Sequence, residues 1–200
     1  MNQEEQRLKD AGITYIAGID EVGRGPLAGP VVACSVILPS DFYLLGIDDS
    51  KKLSASERES FADVIKEKAI SYSISYIDSN EIDRLNIYQA TIRAMQQSIQ
   101  DLAVRPEYLL IDAMKLEVDI PQRNIVKGDS KSISIAAASI LAKVSRDEYM
   151  RQMAFLYPQY GFERNMGYGT KEHLEAIEQY GITPIHRKSF LSNQLKIEIV

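Results

Sequence analysis

The 200 residues carry 23 Lys and Arg against 28 Asp and Glu, a formal net charge of −5, and at roughly 150 residues per domain they make one domain spanning residues 1–200. Apolar residues are 45 % and charged residues 26 % of the chain, an ordinary globular mixture that excludes disordered, collagen-like and low-complexity classes. No run nears the roughly 18 apolar residues of a membrane span. The polar start MNQEEQRLKD is no signal peptide, and the single Cys34 lies inside VVACSVIL, so a reduced cytoplasmic monomer is expected. The acidic total argues weakly against nucleic acid as a partner, but a whole-chain sum averages over patches and leaves a local basic groove open.

Residues 1–12 form a polar lead-in, a short helix or a loose segment. TYIAGID at 14–20 and PVVACSVIL at 30–38 are β-prone runs separated by the turn-rich EVGRGPLAG, which predicts adjacent antiparallel strands. Ser54 and Glu57 have capping-box spacing and open an amphipathic helix over 54–69. SYSISYI at 71–77 alternates like a half-buried strand. Residues 79–102 read as helix in two pieces, 107–112 as a strand ending in acid, and 123–127 as a short strand. An Ala-rich helix is expected over 132–156, and Thr170 can cap another to about 179. About 157–200 form a C-terminal helical part. This order predicts a three-layer α/β domain, a mixed sheet with helices on its faces.

Two buried-looking strands end in Ile-Asp, at Ile19-Asp20 and Ile111-Asp112. Acid at the carboxyl end of a strand is where open α/β sheets place ligand sites. Glu21 follows Asp20, and strand neighbours point to opposite faces, so both reach one site only if the strand ends there. Asp129, in KGDSKS, is either a helix N-cap or a fourth member of that site. Like charges about 4 Å apart repel by about 4 kcal/mol at an effective dielectric near 20. Four converging carboxylates therefore need shared protons or a hard cation, and Mg²⁺ suits oxygen ligands. Two histidines and one cysteine are too few for a typical zinc site.

The remaining signals each have two readings. Gly23 and Gly25 around Arg24 form either a phosphate-approaching loop or a glycine turn with a solvated arginine. The spacing is neither a dinucleotide fingerprint nor a P-loop. Ser132, Ser139, Lys143 and Arg146 share one helix face, with Ile133, Ala137, Ile140, Leu141 and Val144 opposite. That polar stripe is a solvated face or a phosphate-tracking rail. Tyr168, between two glycines in NMGYGTKEH, packs back or offers a stacking platform. His173 and His186 read as structural. A binding module without catalysis and a nucleotide-binding α/β protein are the rival classes.

GIDEVGRGPLAGPVV at 18–32, DSKKL at 49–53, LLIDAM at 109–114, GDSKSISIAAASILAKVSRD at 128–147, GYGT at 167–170 and HRKSF at 186–190 closely resemble bacterial ribonuclease HII, a type 2 ribonuclease H. The six blocks occur in family order. Ribonuclease HIII is similar, but typically differs at the position of Arg24. The resemblance implies a ribonuclease H-like fold, with a five-stranded mixed sheet flanked by helices and additional C-terminal helices. It implies a Mg²⁺- or Mn²⁺-dependent endonuclease with a two-metal mechanism. The substrates would be RNA–DNA hybrids and DNA duplexes containing single ribonucleotides, nicked on the 5′ side to leave 3′-OH and 5′-phosphate. Asp20, Glu21, Asp112 and Asp129 would be the catalytic, metal-binding acids. Gly23, Arg24, Gly25 and Tyr168 would read the ribonucleotide 2′-OH and the junction to DNA. Lys51, Ser139, Lys143 and Arg146 are candidate phosphate contacts. Some members carry an N-terminal extension ahead of the matched segment.

Overall fold

The computed structural model describes residues 2–47 and 53–195, with side chains to residue 192. Helix α1 (Gln3–Asp10) leads into strand β1 (Ile16–Val22), which is followed by β2 (Val31–Ile37), α2 (Ala55–Lys68), β3 (Ser71–Ile77), α3 (Ser79–Leu85) and α4 (Ile87–Gln100). Then come β4 (Tyr108–Asp112), β5 (Gln122–Ile125), the long α5 (Ile133–Leu156), a single turn α6 (Phe162–Asn165), α7 (Lys171–Tyr180) and α8 (Lys188–Leu195). The five strands form one sheet in the order β3-β2-β1-β4-β5. The β1–β2 and β2–β3 pairs are antiparallel, as the short β1–β2 connection requires. The β1–β4 and β4–β5 pairs are parallel.

Local chemistry sets the boundaries. Ser54 and Glu57 exchange both capping-box bonds at the start of α2. Asn86, at φ 70°, ends α3 and caps α4 by accepting from the Gln89 amide. Ser132 caps α5 by accepting from the Ile135 amide at 3.2 Å, so Asp129 is not the N-cap of that helix. It sits instead in a 3₁₀ turn, Gly128–Ser130.

Alternation along the strands fills both faces. Ala17, Ile19, Val31, Ala33, Leu109 and Ile111 pack on α4 through Ala94, Met95 and Ile99. Cys34 and Val36 face α2 and α5. A buried hydroxyl pair, Ser35 Oγ to Ser98 Oγ at 2.7 Å, satisfies the polar atoms between β2 and α4. Gly18 allows β1 and α5 to touch backbone to backbone, because a Cβ there would lie 2.1 Å from the Ser134 carbonyl carbon. A smaller apolar cluster joins Leu27, Ala28 and Met150 to Tyr160, Phe162, Ile177 and Leu191. At the start of α5, the buried Glu5 of α1 accepts from Ser132 Oγ and the Ser134 amide.

Two expectations change. Strand β1 does not stop at Asp20 but continues through Val22, because β2 keeps pairing with it as far as Val22↔Val32. Helix α5 lacks a clean polar side: it is wrapped by β1, β2, α2 and the turn before it, and Ser132, Ile133, Ala137, Ile140 and Arg146 are all buried.

Candidate active site

Ile16 and Leu110 point toward Ile135 of α5, while Ala17, Ile19 and Ile111 point toward α4. With period two, Asp20 and Asp112 therefore project to the α5 side of neighbouring parallel strands. Asp20 is buried, its carboxylate accepts from the Glu21 amide at 2.8 Å, and Ser139 of α5 lies beside it and favours its charged form. Asp112 Oδ1 accepts from the Gly128 amide at 2.8 Å, which brings the turn carrying the buried Asp129 to the end of β4. Glu21 lies past Ile19↔Ile111, the last β1–β4 pair, where its largely covered side chain feels the charges of Arg24 and Asp112.

The electrostatics fit one shared acidic site. Burial raises the Asp20 carboxyl well above the usual carboxylate range, and the charges of Glu21 and Asp112 push it further. Burial also raises Glu21, opposed by Arg24 at 3.5 Å and reinforced by Asp112. Among the described residues no three His, Cys, Asp or Glu side chains are gathered into a ready-made metal cage. The donor chemistry nonetheless suits a hard cation: the set is all carboxylate oxygen, and its members repel one another. Backbone strain marks the same place. Ala113 follows Asp112 at φ 50° and Lys127 precedes the Asp129 turn at φ 57°. Left-handed non-glycine residues cost on the order of 1–3 kcal/mol and gather at functional sites.

Beside the acids lies the glycine loop. Arg24 and Gly25 are exposed, and a Cβ on Gly25 would sit 3.6 Å from Cε1 of Tyr168. Tyr168 is 46 % exposed, so its ring does not pack back into the core. Gly23 is different: at φ 89° it is closed in, and a Cβ there would meet Arg146 Nε at 2.3 Å.

The chain belongs to the ribonuclease HII family.

That conclusion rests on the Ribonuclease HII family model, which matches residues 17–193, and on ribonuclease HII of Bacillus cytotoxicus. The two sequences are 60 % identical over 190 residues, covering 95 % of this chain and 73 % of the relative. Among solved structures, ribonuclease H2 from Pyrococcus horikoshii OT3 superimposes with a TM-score of 0.79 at 24 % identity, covering 90 % of this chain and 96 % of that one. Bst ribonuclease HIII in complex with Mn²⁺ gives 0.67 at 20 % identity, covering 90 % and 68 %. Those two share the five-stranded ribonuclease H fold. As a ribonuclease HII the protein is a hydrolase of the ribonuclease H class, and the family cleaves the RNA of RNA–DNA hybrids. None of its described helices is long and apolar enough to cross a membrane.

The four expected phosphate contacts separate. Lys51 lies outside the described residues. Ser139 is engaged with Asp20. Lys143 is partly exposed and pairs with Asp147 at 2.7 Å. Arg146 is corrected: it is 0 % exposed and donates to the carbonyls of Pro30, Met166 and Ala28 at 3.0, 3.0 and 3.2 Å, so it cannot reach a phosphate.

The histidines form a unit the sequence did not announce. His173 Nε2 and His186 Nε2 are 3.0 Å apart, and Thr183 donates its amide to His186 Nδ1. His186 Nε2 therefore carries the proton toward His173, whose Nδ1–H donates to Tyr168 O at 2.9 Å. Both rings are neutral in this assignment, and burial lowers both pKa values, that of His186 to about 4.

Proposed function

We propose that Asp20, Glu21, Asp112 and Asp129 hold Mg²⁺ or Mn²⁺ and that the protein nicks duplex DNA on the 5′ side of a single ribonucleotide. The observation that carries this reading is the placement of Asp20 and Asp112 at the ends of the paired strands β1 and β4, with the Gly128 amide bonding Asp112 beside the turn of Asp129, next to the Gly25–Tyr168 surface. The Mn²⁺ complex of the ribonuclease HIII neighbour supports the same class of ion. When bound, the cations supply Lewis acidity to the scissile phosphate and lower the pKa of water.

The chain's own residues do the rest. The Glu21 amide holds the Asp20 carboxylate, with Ser139 beside it, and the Gly128 amide holds that of Asp112, so these two acids are positioned in advance. Exposed amides at Arg24 and Gly25 bond a 2′-OH, and the Tyr168 ring packs on the following deoxyribose and rejects a second hydroxyl there. A site built to bond a hydroxyl discriminates strongly against its absence. Water adds to phosphorus and the bond to the 3′ oxygen breaks, giving 3′-OH and 5′-phosphate ends. Removal of misincorporated ribonucleotides from DNA is the task this selectivity serves. The acids and the reading surface belong to one chain, so a monomer, with residues 1–200 as one catalytic unit, suffices.

The test is an end-labelled duplex with one ribonucleotide, beside an all-DNA control and an RNA–DNA hybrid, with EDTA, Mg²⁺ or Mn²⁺. Cutting that needs the divalent ion and falls 5′ of the ribonucleotide is expected. Cutting in EDTA, equal cutting of the all-DNA control, or a 3′ nick defeats the reading.

A further inference from the structure

Two arginines lie fully buried beneath the glycine loop, Arg146 of α5 and Arg187 just before α8, each 0 % exposed. Among the described residues, their hydrogen bonds all go to main-chain carbonyls. Arg187 donates from Nε to Gly29 O at 3.0 Å, from Nη1 to Arg24 O at 3.0 Å, and from Nη2 to Gly23 O at 2.6 Å and Gly29 O at 2.8 Å. Its guanidinium also stacks over Phe190, 5.1 Å from the ring centroid. Arg146 takes Pro30, Ala28 and Met166. Main-chain bonds join the same three segments: Leu27 N to Gly167 O, Gly29 N to Ile185 O, and Arg187 N to Leu27 O, each at 2.8 Å.

Burying two cations is costly, and apolar replacements of like volume are often as stable or more so. What the guanidinia supply is orientation. In a trans peptide the C=O and the following N–H point in opposite directions. Gly23 O and Arg24 O point inward to Arg187, so the amides of Arg24 and Gly25 point outward, on the exposed side where Tyr168 lies. We infer that Arg187, assisted by Arg146, is a positioning residue for substrate selection, holding the Gly23–Pro30 segment so that the Arg24 and Gly25 amides are presented before substrate arrives. This inference rests on the proposed reading of those amides and Tyr168 as the ribonucleotide reader. Lysine cannot replace this function, because one ammonium cannot span three carbonyls in a fixed fork.

The experiment compares wild type, Arg187→Lys, Tyr168→Ala and Met95→Ala, the last a cavity under the opposite sheet face. Steady-state kinetics on the one-ribonucleotide duplex and affinity for the all-DNA duplex are measured below each variant's Tm. Arg187→Lys is expected to lose on the order of 100-fold in kcat/KM, the cost of misplacing a reacting group by about 1 Å, while all-DNA affinity stays within about twofold because phosphate contacts are untouched. Met95→Ala, with a comparable fall in Tm, should keep wild-type selectivity. Native selectivity in a folded Arg187→Lys overturns the inference, as does an equal loss in Met95→Ala. If Tyr168→Ala keeps native selectivity, the reader itself is wrong; if only Tyr168→Ala loses it, the reader stands and the positioning role fails. Amide exchange of the wild-type protein decides the matter should Arg187→Lys not fold. Protection at Leu27–Gly29 already present without substrate is expected, and protection that arises only in the complex overturns the inference.

Discussion

His173 Nε2 and His186 Nε2 face each other at 3.0 Å with one proton between them. Protonating both rings would set two N–H groups head to head, so the native pair stays neutral. In the unfolded chain each His titrates near 6.5, whereas His186 is held at about 4 in the fold. Between those values the unfolded state binds more protons, so stability falls as pH falls from 6.5 toward 4. The loss reaches roughly 3 kcal/mol for His186 alone. The raised Asp20 and Glu21 carboxyls act with the opposite sign, gaining stability as pH falls. Urea midpoints should therefore drop more steeply between pH 7 and 5 in wild type than in His186→Asn. Parallel pH profiles would contradict the neutral pair.

Asp112→Asn should separate chemistry from stability. An amide oxygen can still accept from Gly128, and losing the charge relieves the repulsion on Asp20 and Glu21. The expected variant melts at or above the wild-type Tm and loses at least on the order of 1000-fold in kcat. Single-turnover cleavage with differential scanning calorimetry checks both halves, and near wild-type rates would remove Asp112 from the catalytic set.

The two loop glycines should respond in opposite ways. A Cβ on Gly25 makes ordinary contact with Tyr168, whereas one on Gly23, at φ 89°, collides with Arg146. Gly25→Ala is expected to fold with a Tm close to wild type yet lose preference for the ribonucleotide-containing duplex. Gly23→Ala should lose about 2 kcal/mol or more of stability. Chemical denaturation and a two-substrate competition assay distinguish them.

Lys143 is the described residue of the proposed phosphate rail whose charge remains partly open to solvent. Lys143→Ala should weaken binding about equally across duplex sequences and reduce the slope of log K against log salt by about one unit. An unchanged slope leaves Lys143 as a helix-surface partner of Asp147.

Elements with strong local chemistry were legible in the sequence. The Ser54–Glu57 box fixes α2, alternation fixes β3, and the Ile-Asp endings mark where β1 and β4 carry acid. Asp20 and Asp112 become neighbours only through the β1–β4 pairing, and the turn of Asp129 reaches them only through the Gly128–Asp112 bond, which no spacing reveals. Arg146 was misread because a buried cation and a solvated one look alike in a string. Its position was the available signal, for it follows Ala142 and precedes Met150 at four-residue steps on a stripe that is wholly buried. Arg187 and the histidine pair had no such signal, since their partners lie more than a dozen residues away.

The reach of Glu5 to Ser132 Oγ and the Ser134 amide moves the domain boundary. Every proposed catalytic acid lies after residue 13, and a truncation at that point looks harmless on a motif map. It would strip the first turn of α5 of its carboxylate, leaving donors at a buried helix start with nothing to bond. The same helix carries Ser139, which steadies Asp20. The polar lead-in is thus a keystone of the end of the molecule where the proposed catalytic acids lie, and shortening it should loosen them without removing any.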